Sequence, residues 1–318
     1  MLPFNAALSS FWIGRGKTSF VTYLVAGVSV INIILDPILI FGFLSIPSLG
    51  VQGAAIARGL SQIGLGIALS LAFLSRPNRE RYYTNNWKFD RESCGQIFSF
   101  GSLQAMSMFL QGGAWSIFFR IMSVASETHV LASGIGDAIY SLFSCIIEGI
   151  SKAATSLAAN LLGAKKFEKI SLVTWAGLRL LIIFAAVMAV FLLCAPNAVL
   201  NLFLPKGHTC SVEVMQTLRL SLIWIWLSLI GEAHLYFWSG ILLAFEDTRF
   251  ILFVSSLVVW LFGVVPAYLV TNVLGLSADI GLAVTTLYYA ITGIAYLMRV
   301  RFWLSGRCLL KARYSFRA

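Results

Sequence analysis

The sequence predicts an all-α polytopic membrane protein, and three observations carry that prediction. Of 318 residues, 59% are hydrophobic and only 11% charged, against roughly 45–50% and about 25% in an average soluble domain. The apolar residues gather in blocks of 25 or more, whereas about 20 residues suffice to span a hydrocarbon core. Most of the Lys and Arg fall in alternate connections between those blocks.

Residues 1–13 read as the end of one helix. Eight full blocks follow at 19–44, 50–74, 96–123, 129–162, 170–204, 214–245, 249–273 and 278–304. Backbone groups in lipid must be satisfied within the segment, and these blocks are far longer than barrel strands, so each is a helix. The first full helix runs outward from the cytoplasm if the positive-inside rule sets the orientation. Arg15 and Lys17, then Arg76, Arg79, Arg81, Lys88 and Arg91, lie on the cytoplasmic side with Lys165, Lys166 and Lys169. Arg249 and the run Arg299, Arg301, Arg307, Lys311, Arg313 and Arg317 complete that set. The opposite loops hold only Lys206, and Arg58, Arg120, Lys152, Arg179 and Arg219 lie within blocks. This asymmetry accounts for the net charge of +10 better than a nucleic-acid surface does. The expected location is a multi-pass cell membrane with the C-terminus cytoplasmic. Only Cys210 lies outside, so no external disulfide forms within the chain.

An internal repeat organises these elements. Gly16-Lys17-Thr18-Ser19-Phe20 and Glu246-Asp247-Thr248-Arg249-Phe250 both join one block to the next at an offset of 230. Gly50-Val51-Gln52-Gly53-Ala54-Ala55 answers Ala278-Asp279-Ile280-Gly281-Leu282-Ala283 at 228. The longest polar stretch, 75–95, joins the two units. We therefore expect residues 1–87 to be the remnant of an N-terminal bundle: the end of one helix, two full helices and a cytoplasmic linker. Residues 88–318 are expected to form a complete six-helix bundle with a basic cytoplasmic tail. The offset places three helices and part of a fourth before Met1.

Four acids lie inside spans, where ionisable groups are costly and functional by default: Asp36, Asp137, Glu148 and Glu232. Asn32 and Asp36 share a helix face, and Pro37 cannot donate to the Ile33 carbonyl, so amide, carboxylate and free carbonyl gather as hard oxygen donors. A kink held by local hydrogen bonds is the structural alternative. Glu232 lies near the middle of its block; its alternative is a hydrogen bond to Tyr236, one turn on. Asp137 and Glu148 are three turns apart on one face. Lys152 follows Glu148 at i+4 and neutralises it. Trp115, Tyr236 and Trp238 are aromatic candidates for a cavity wall. Gly16-Lys17-Thr18 has Phe11 where a phosphate loop needs its first glycine. Glu127 with His129, and Glu232 with His234, are spaced wrongly for a helical metal site. Neither a catalytic residue nor a metal or cofactor is expected.

Several segments in order resemble the multidrug and toxic compound extrusion (MATE) transporters. They are Gly14-Arg15-Gly16-Lys17-Thr18, Asn32-Ile33-Ile34-Leu35-Asp36-Pro37, Gly50-Val51-Gln52-Gly53-Ala54-Ala55-Ile56-Ala57, Gly149-Ile150-Ser151-Lys152-Ala153-Ala154, Asn160-Leu161-Leu162-Gly163-Ala164-Lys165-Lys166, and Ser239-Gly240-Ile241-Leu242 with Asp247-Thr248-Arg249. The resemblance implies a two-bundle fold, of which this chain holds part of the fourth helix and all from the fifth to the twelfth. It implies a secondary transporter that exports organic cations in exchange for H+ or Na+. By the same resemblance Asn32 and Asp36 belong to the cation-coupling site, Glu232 takes the acidic position of the tenth helix, and Gln111 stands where many members carry a Glu in the seventh. Asp137 is kept as a fourth coupling candidate. Arg58 stands where the family often has a Thr, at the same depth as Asp36 in the adjacent helix, and is the expected ion-pair partner. The implied partners are an organic cation, the bilayer, and missing helices supplied by a separate chain. A lipid or oligosaccharide flippase of the same superfamily is a rival reading, which would favour a basic cavity. A non-transporting subunit or gene remnant is another.

Overall fold

A computed structural model of the chain describes residues 1–42, 47–84, 89–203 and 211–305. The expected 87/88 boundary, Lys88, Lys206, Cys210, Cys308 and the basic tail with Arg307, Lys311, Arg313 and Arg317 lie outside the described residues. Among those described, the protein is α-helical with no strand. It divides into two compact units, Met1–Arg91 and the residues from Glu92 onward.

The first unit holds α1 (Leu2–Gly14), α2 (Thr18–Phe41), α3 (Gly50–Phe73) and α4 (Arg76–Tyr82). α1 opens on Pro3, whose missing N–H costs nothing in a first helical turn. α2 contains no buried residue, so its apolar surface faces outward as a lipid-facing helix requires. It packs on α3 through Gly53, where a Cβ would collide with the Leu39 carbonyl, and Leu49 N–H donates to that carbonyl at 3.0 Å. Asn5 Nδ2 ties α1 to α3 by donating to the carbonyl and Oε1 of Gln62, each at 2.9 Å. Trp12, Leu65 and Leu69 form a small core beside these contacts. Arg15 lies over the rings of Phe11, Trp12 and Tyr82, 4.4 to 5.2 Å from their centroids. Its guanidinium donates to Asn78 Oδ1 at 2.8 Å, so one cation pins α4 to α1.

The second unit holds α5 (Arg91–Ala125), α6 (Glu127–Gly163), α7 (Ile170–Leu193), α8 (Pro196–Phe203), α9 (Val212–Ala244), α10 (Thr248–Val258), α11 (Val265–Tyr268) and α12 (Ala278–Leu304). Ser126 and Ser211 cap α6 and α9, accepting from the third backbone N–H onward. From α10 to Val273 the chain is one continuous span in which π turns, Val259–Val264 and Leu269–Val273, flank α11. Pro266, second in that short α segment, has no N–H to donate, and the wider turn before it closes through Val265 N–H to the Trp260 carbonyl. α9 is the central helix, touching α6, α7, α8, α10 and α12. Small residues let it approach closely: a Cβ on Gly177 of α7 would land on the Phe237 ring, and one on Gly240 would come within 2.7 Å of Ser151 Oγ and Thr155 Oγ1. α5 meets the rest through side chains instead of close backbone approach, with Ala114, Phe118 and Met122 in the core.

Among the described residues, seven helical segments are long and apolar enough to cross a membrane, and they coincide with seven of the eight expected blocks. The protein is a multi-pass membrane protein. The block expected at 96–123 forms the long helix α5 but is not among the seven. Gln96, Gln104, Gln111 and its many Ser and Gly residues dilute its apolarity. The connections after α1, α6 and α9 share one device. Gly16, Lys165 and Glu246 have φ of 71°, 57° and 59°. Each donates its N–H back to Ile13, Leu162 or Leu243, and the next residue donates to Trp12, Leu161 or Leu242. This is the Schellman closure of a helix end. Gly16 and Glu246 sit at the repeat offset, but Lys165 shows that the turn is not peculiar to the repeat.

Candidate functional site

The stand-off of α5 leaves a cavity of about 430 Å³ inside the second unit. α5 contributes Gln104, Ser107, Gln111 and Trp115; α6 contributes Glu148, Ser151, Lys152 and Thr155; α9 contributes Tyr236 and Ser239; Tyr296 closes it from α12. Hydrogen bonds hold the walls in register. Ser107 Oγ and Ser255 Oγ share a bond of 2.9 Å, and Gln111 Nε2 donates to Ser107 Oγ at 2.9 Å. Ser151 Oγ donates to the Tyr236 carbonyl at 2.7 Å, and Tyr296 hydroxyl to the Ile251 carbonyl at 3.2 Å. The Trp115 ring stacks obliquely on Tyr289, with centroids 6.0 Å apart. Thr155 and Leu243 also line a wider cleft of about 1110 Å³ that reaches Glu92 and Arg249.

The charges in the cavity are a matched pair. Lys152 Nζ donates to Glu148 Oε2 at 2.8 Å, as the i,i+4 spacing predicts. Both lie on α6 far from its ends and remain accessible, the Lys152 side chain 74% and the Glu148 side chain 49% exposed. Glu232, on α9 one turn before Tyr236, differs: its Oε2 is buried and has no hydrogen-bond partner. The hydrogen bond to Tyr236 that the spacing allowed is not made by this oxygen. Gln104 Oε1 is likewise buried without a partner.

Of the residues singled out in the sequence, Gln111, Trp115, Glu148 and Tyr236 line this cavity. Trp238 does not: it is buried and packs edge-on against Phe237 at 5.1 Å. Asp137 lies on the exposed surface of α6, away from the cavity. Asn32 and Asp36 are partly exposed on α2, and Asn32 Nδ2 donates to Asp36 Oδ1 at 3.5 Å, a long bond. Arg58 makes no ion pair with Asp36. The buried residues around it on α3 are Gly53, Ala57 and Ser61, which recur every four residues and form the packed face, so Arg58 points away as an exposed side chain. Sequence reading missed Gln104, Lys152 as a cavity residue, and the buried network in which Ser228 Oγ bonds Thr285 Oγ1 at 2.9 Å and Thr286 Oγ1 at 2.7 Å. Hydroxyls and amides inside apolar spans were the available signal.

The sequence model of the MatE family matches residues 104–269, more than half of the chain. The chain belongs to the MatE family. The match runs from Gln104 through Glu148, Lys152, Glu232 and Tyr236, so most of the cavity wall lies inside it. This MatE chain is 25% identical over 234 residues to the probable multidrug resistance protein YoeA of Bacillus subtilis (strain 168), covering 72% of the chain and 50% of that relative. It is 26% identical over 260 residues to the probable multidrug resistance protein NorM of Photorhabdus laumondii, covering 80% and 55%. The chain thus spans about half the length of the curated relatives it matches. Its fold is similar to a crystal structure of MATE in the straight conformation, with a TM-score of 0.78 at 20% identity, over 96% of this chain and 67% of that one. MatE proteins are transporters and not enzymes.

Proposed function

We propose that this MatE chain serves cation-coupled antiport, exchanging H+ or Na+ for an organic cation held in the cavity of its second unit. The single observation that carries the reading is Glu232. A carboxyl oxygen buried in a membrane-spanning helix without a hydrogen-bond partner is expensive to maintain. Such a group becomes useful when a proton or cation visits it. Tyr236, one turn on, belongs to the cavity wall, so occupancy at Glu232 and occupancy of the cavity are mechanically adjacent. The names of the relatives, multidrug resistance proteins, support a drug-sized organic substrate. The basic residues of the connections support a cytoplasmic C-terminus, and the bacterial source of the relatives supports a bacterial inner membrane. Asn32 and Asp36 serve as a second coupling pair in the first unit. On this reading residues 1–87 act as part of the N-terminal bundle and 88–318 as the complete C-terminal one.

The reading is tested on the purified chain in nanodiscs by ethidium fluorescence. Ethidium is expected to bind, and lowering the pH or adding sodium is expected to weaken it by competition. In Glu232→Gln, which keeps the shape and removes the titratable oxygen, that competition disappears while binding persists. Ethidium binding in the native chain that ignores both pH and sodium would overturn the assignment.

A further inference from the structure

Arg179 stands in the middle of a membrane-spanning helix and belongs neither to the cavity nor to the core. We infer that the face of α7 around it binds an anionic phospholipid, whose phosphate the guanidinium holds below the ordinary headgroup level. A lipid there is independent of whatever the cavity carries.

The membrane-crossing segment that contains α7 runs from Phe167 to Leu193, so Arg179 lies twelve residues from one end and fourteen from the other, about 18 and 21 Å. α7 packs on α6 and α9 through Gly177, Leu181, Phe184, Met188 and Leu192. Arg179 is exposed on the opposite side, about 160° around from Gly177. Leu172, Trp175, Ile182 and Ile183 are exposed with it. Among the described residues it has neither an ion pair nor a hydrogen bond. An unpaired arginine on a lipid-facing surface at that depth is costly, and a phosphate drawn to it offsets the cost.

The direction of the side chain selects the source of that phosphate. Helical side chains lean toward the N-terminus, so Arg179 reaches toward the end at Phe167, the cytoplasmic end on the orientation proposed above. Trp175 stands one turn along that path, 63% exposed, with an indole N–H to donate. Tryptophan and arginine both belong at a membrane interface, yet here both occupy one face inside the span, as they would beside a headgroup drawn inward. At the foot of the path Lys165, Lys166 and Lys169 are exposed with Glu168. Their surplus of positive charge favours an anionic lipid over a zwitterionic one. A partner helix bearing a carboxylate fits this face less well, because no two small residues stand four apart on it to let a second backbone approach.

Native mass spectrometry of the full chain, released from micelles holding equal amounts of phosphatidylglycerol and phosphatidylcholine with the same acyl chains, tests the site. The native chain is expected to retain phosphatidylglycerol about tenfold over phosphatidylcholine. Arg179→Leu, which only adds apolar surface to a face turned to lipid, should insert and fold but lose that preference. Arg179→Lys keeps the charge without the bidentate fork and should retain part of it. Trp175→Phe, which leaves every charge in place, should cut retained phosphatidylglycerol by about threefold. Equal retention of the two lipids by the native chain, or an unchanged preference in Arg179→Leu, overturns the inference. So does a dimer of the native chain that Arg179→Leu dissociates, because a second copy then occupies the face.

Discussion

Replacing Gly177 by Ala sets two physical effects against each other. Gly177 lies inside α7, where intrinsic propensity alone favours Ala by about 1 kcal/mol. The added methyl, however, would fall within the ring of Phe237. That ring cannot retreat: Phe237 is 1% exposed and packs against Trp238 with centroids 5.1 Å apart. Overpacking a filled core costs about 1–3 kcal/mol, and the overlap places this site at the upper end. The net expectation is a loss of about 1–2 kcal/mol, a fall of roughly 3–6 °C in Tm for a unit of this size. Gly134 in α6 supplies the control, because nothing lies within 4 Å of a Cβ built there. Gly134→Ala should stabilise by about 0.5–1 kcal/mol from propensity alone. Shrinking the obstacle, in the double variant Gly177→Ala with Phe237→Leu, should recover part of the loss relative to Phe237→Leu alone. Thermal unfolding of the purified protein in detergent, followed by tryptophan fluorescence, reads all four variants. If Gly177→Ala is as stable as Gly134→Ala, the close α7–α9 crossing is wrong.

Three further outcomes are expected in the same assay. Lys165 and Glu246 hold the left-handed conformation at a cost of about 1–2 kcal/mol each, part of which Gly recovers, so Lys165→Gly and Glu246→Gly should each raise stability by about 0.5–1 kcal/mol; a loss at both positions would show that the turns are not closed as described. Asp247 is 10% exposed in its side chain, bonds Arg299 Nε at 2.7 Å and accepts from Trp303 Nε1 at 2.8 Å. Asp247→Asn should therefore destabilise by about 3 kcal/mol, because it strands the Arg299 charge beside Phe250 and Trp303; a change under about 0.5 kcal/mol, the range of an ordinary surface substitution, would refute that pairing. A double-mutant cycle on Asp36→Asn and Arg58→Thr should give a coupling energy within about 0.5 kcal/mol of zero. Strong coupling would restore the ion pair that the structure lacks.

What the sequence discloses and what it withholds divide along one physical line. A bilayer forces every spanning segment to be long, apolar and internally bonded, so helix number and approximate ends are written as block lengths. The exception, α5, shows the rule: a helix whose Gln and Ser residues face a cavity loses the apolar excess that marks its neighbours. Depth along a helix is equally legible, since each residue adds a fixed rise. That is why the spacing of Glu148 and Lys152 sufficed to foresee their bond, both partners being on one helix. Rotation about the axis is not fixed by depth, and Asp36 with Arg58 failed on that count. Equal depth on adjacent helices brings two side chains together only if both point into the shared seam. On α3 that seam is taken by Gly53, Ala57 and Ser61, and Arg58 stands about 100° around from Ala57. The stripe of small residues was visible in the sequence and decides the facing once lipid-embedded helices are recognised to pack through small residues. The same argument places Gly240 against Ser151, which brings Tyr236 and Lys152 to one cavity. In this fold the small residues locate the seams, and the charged residues left beside them locate the site.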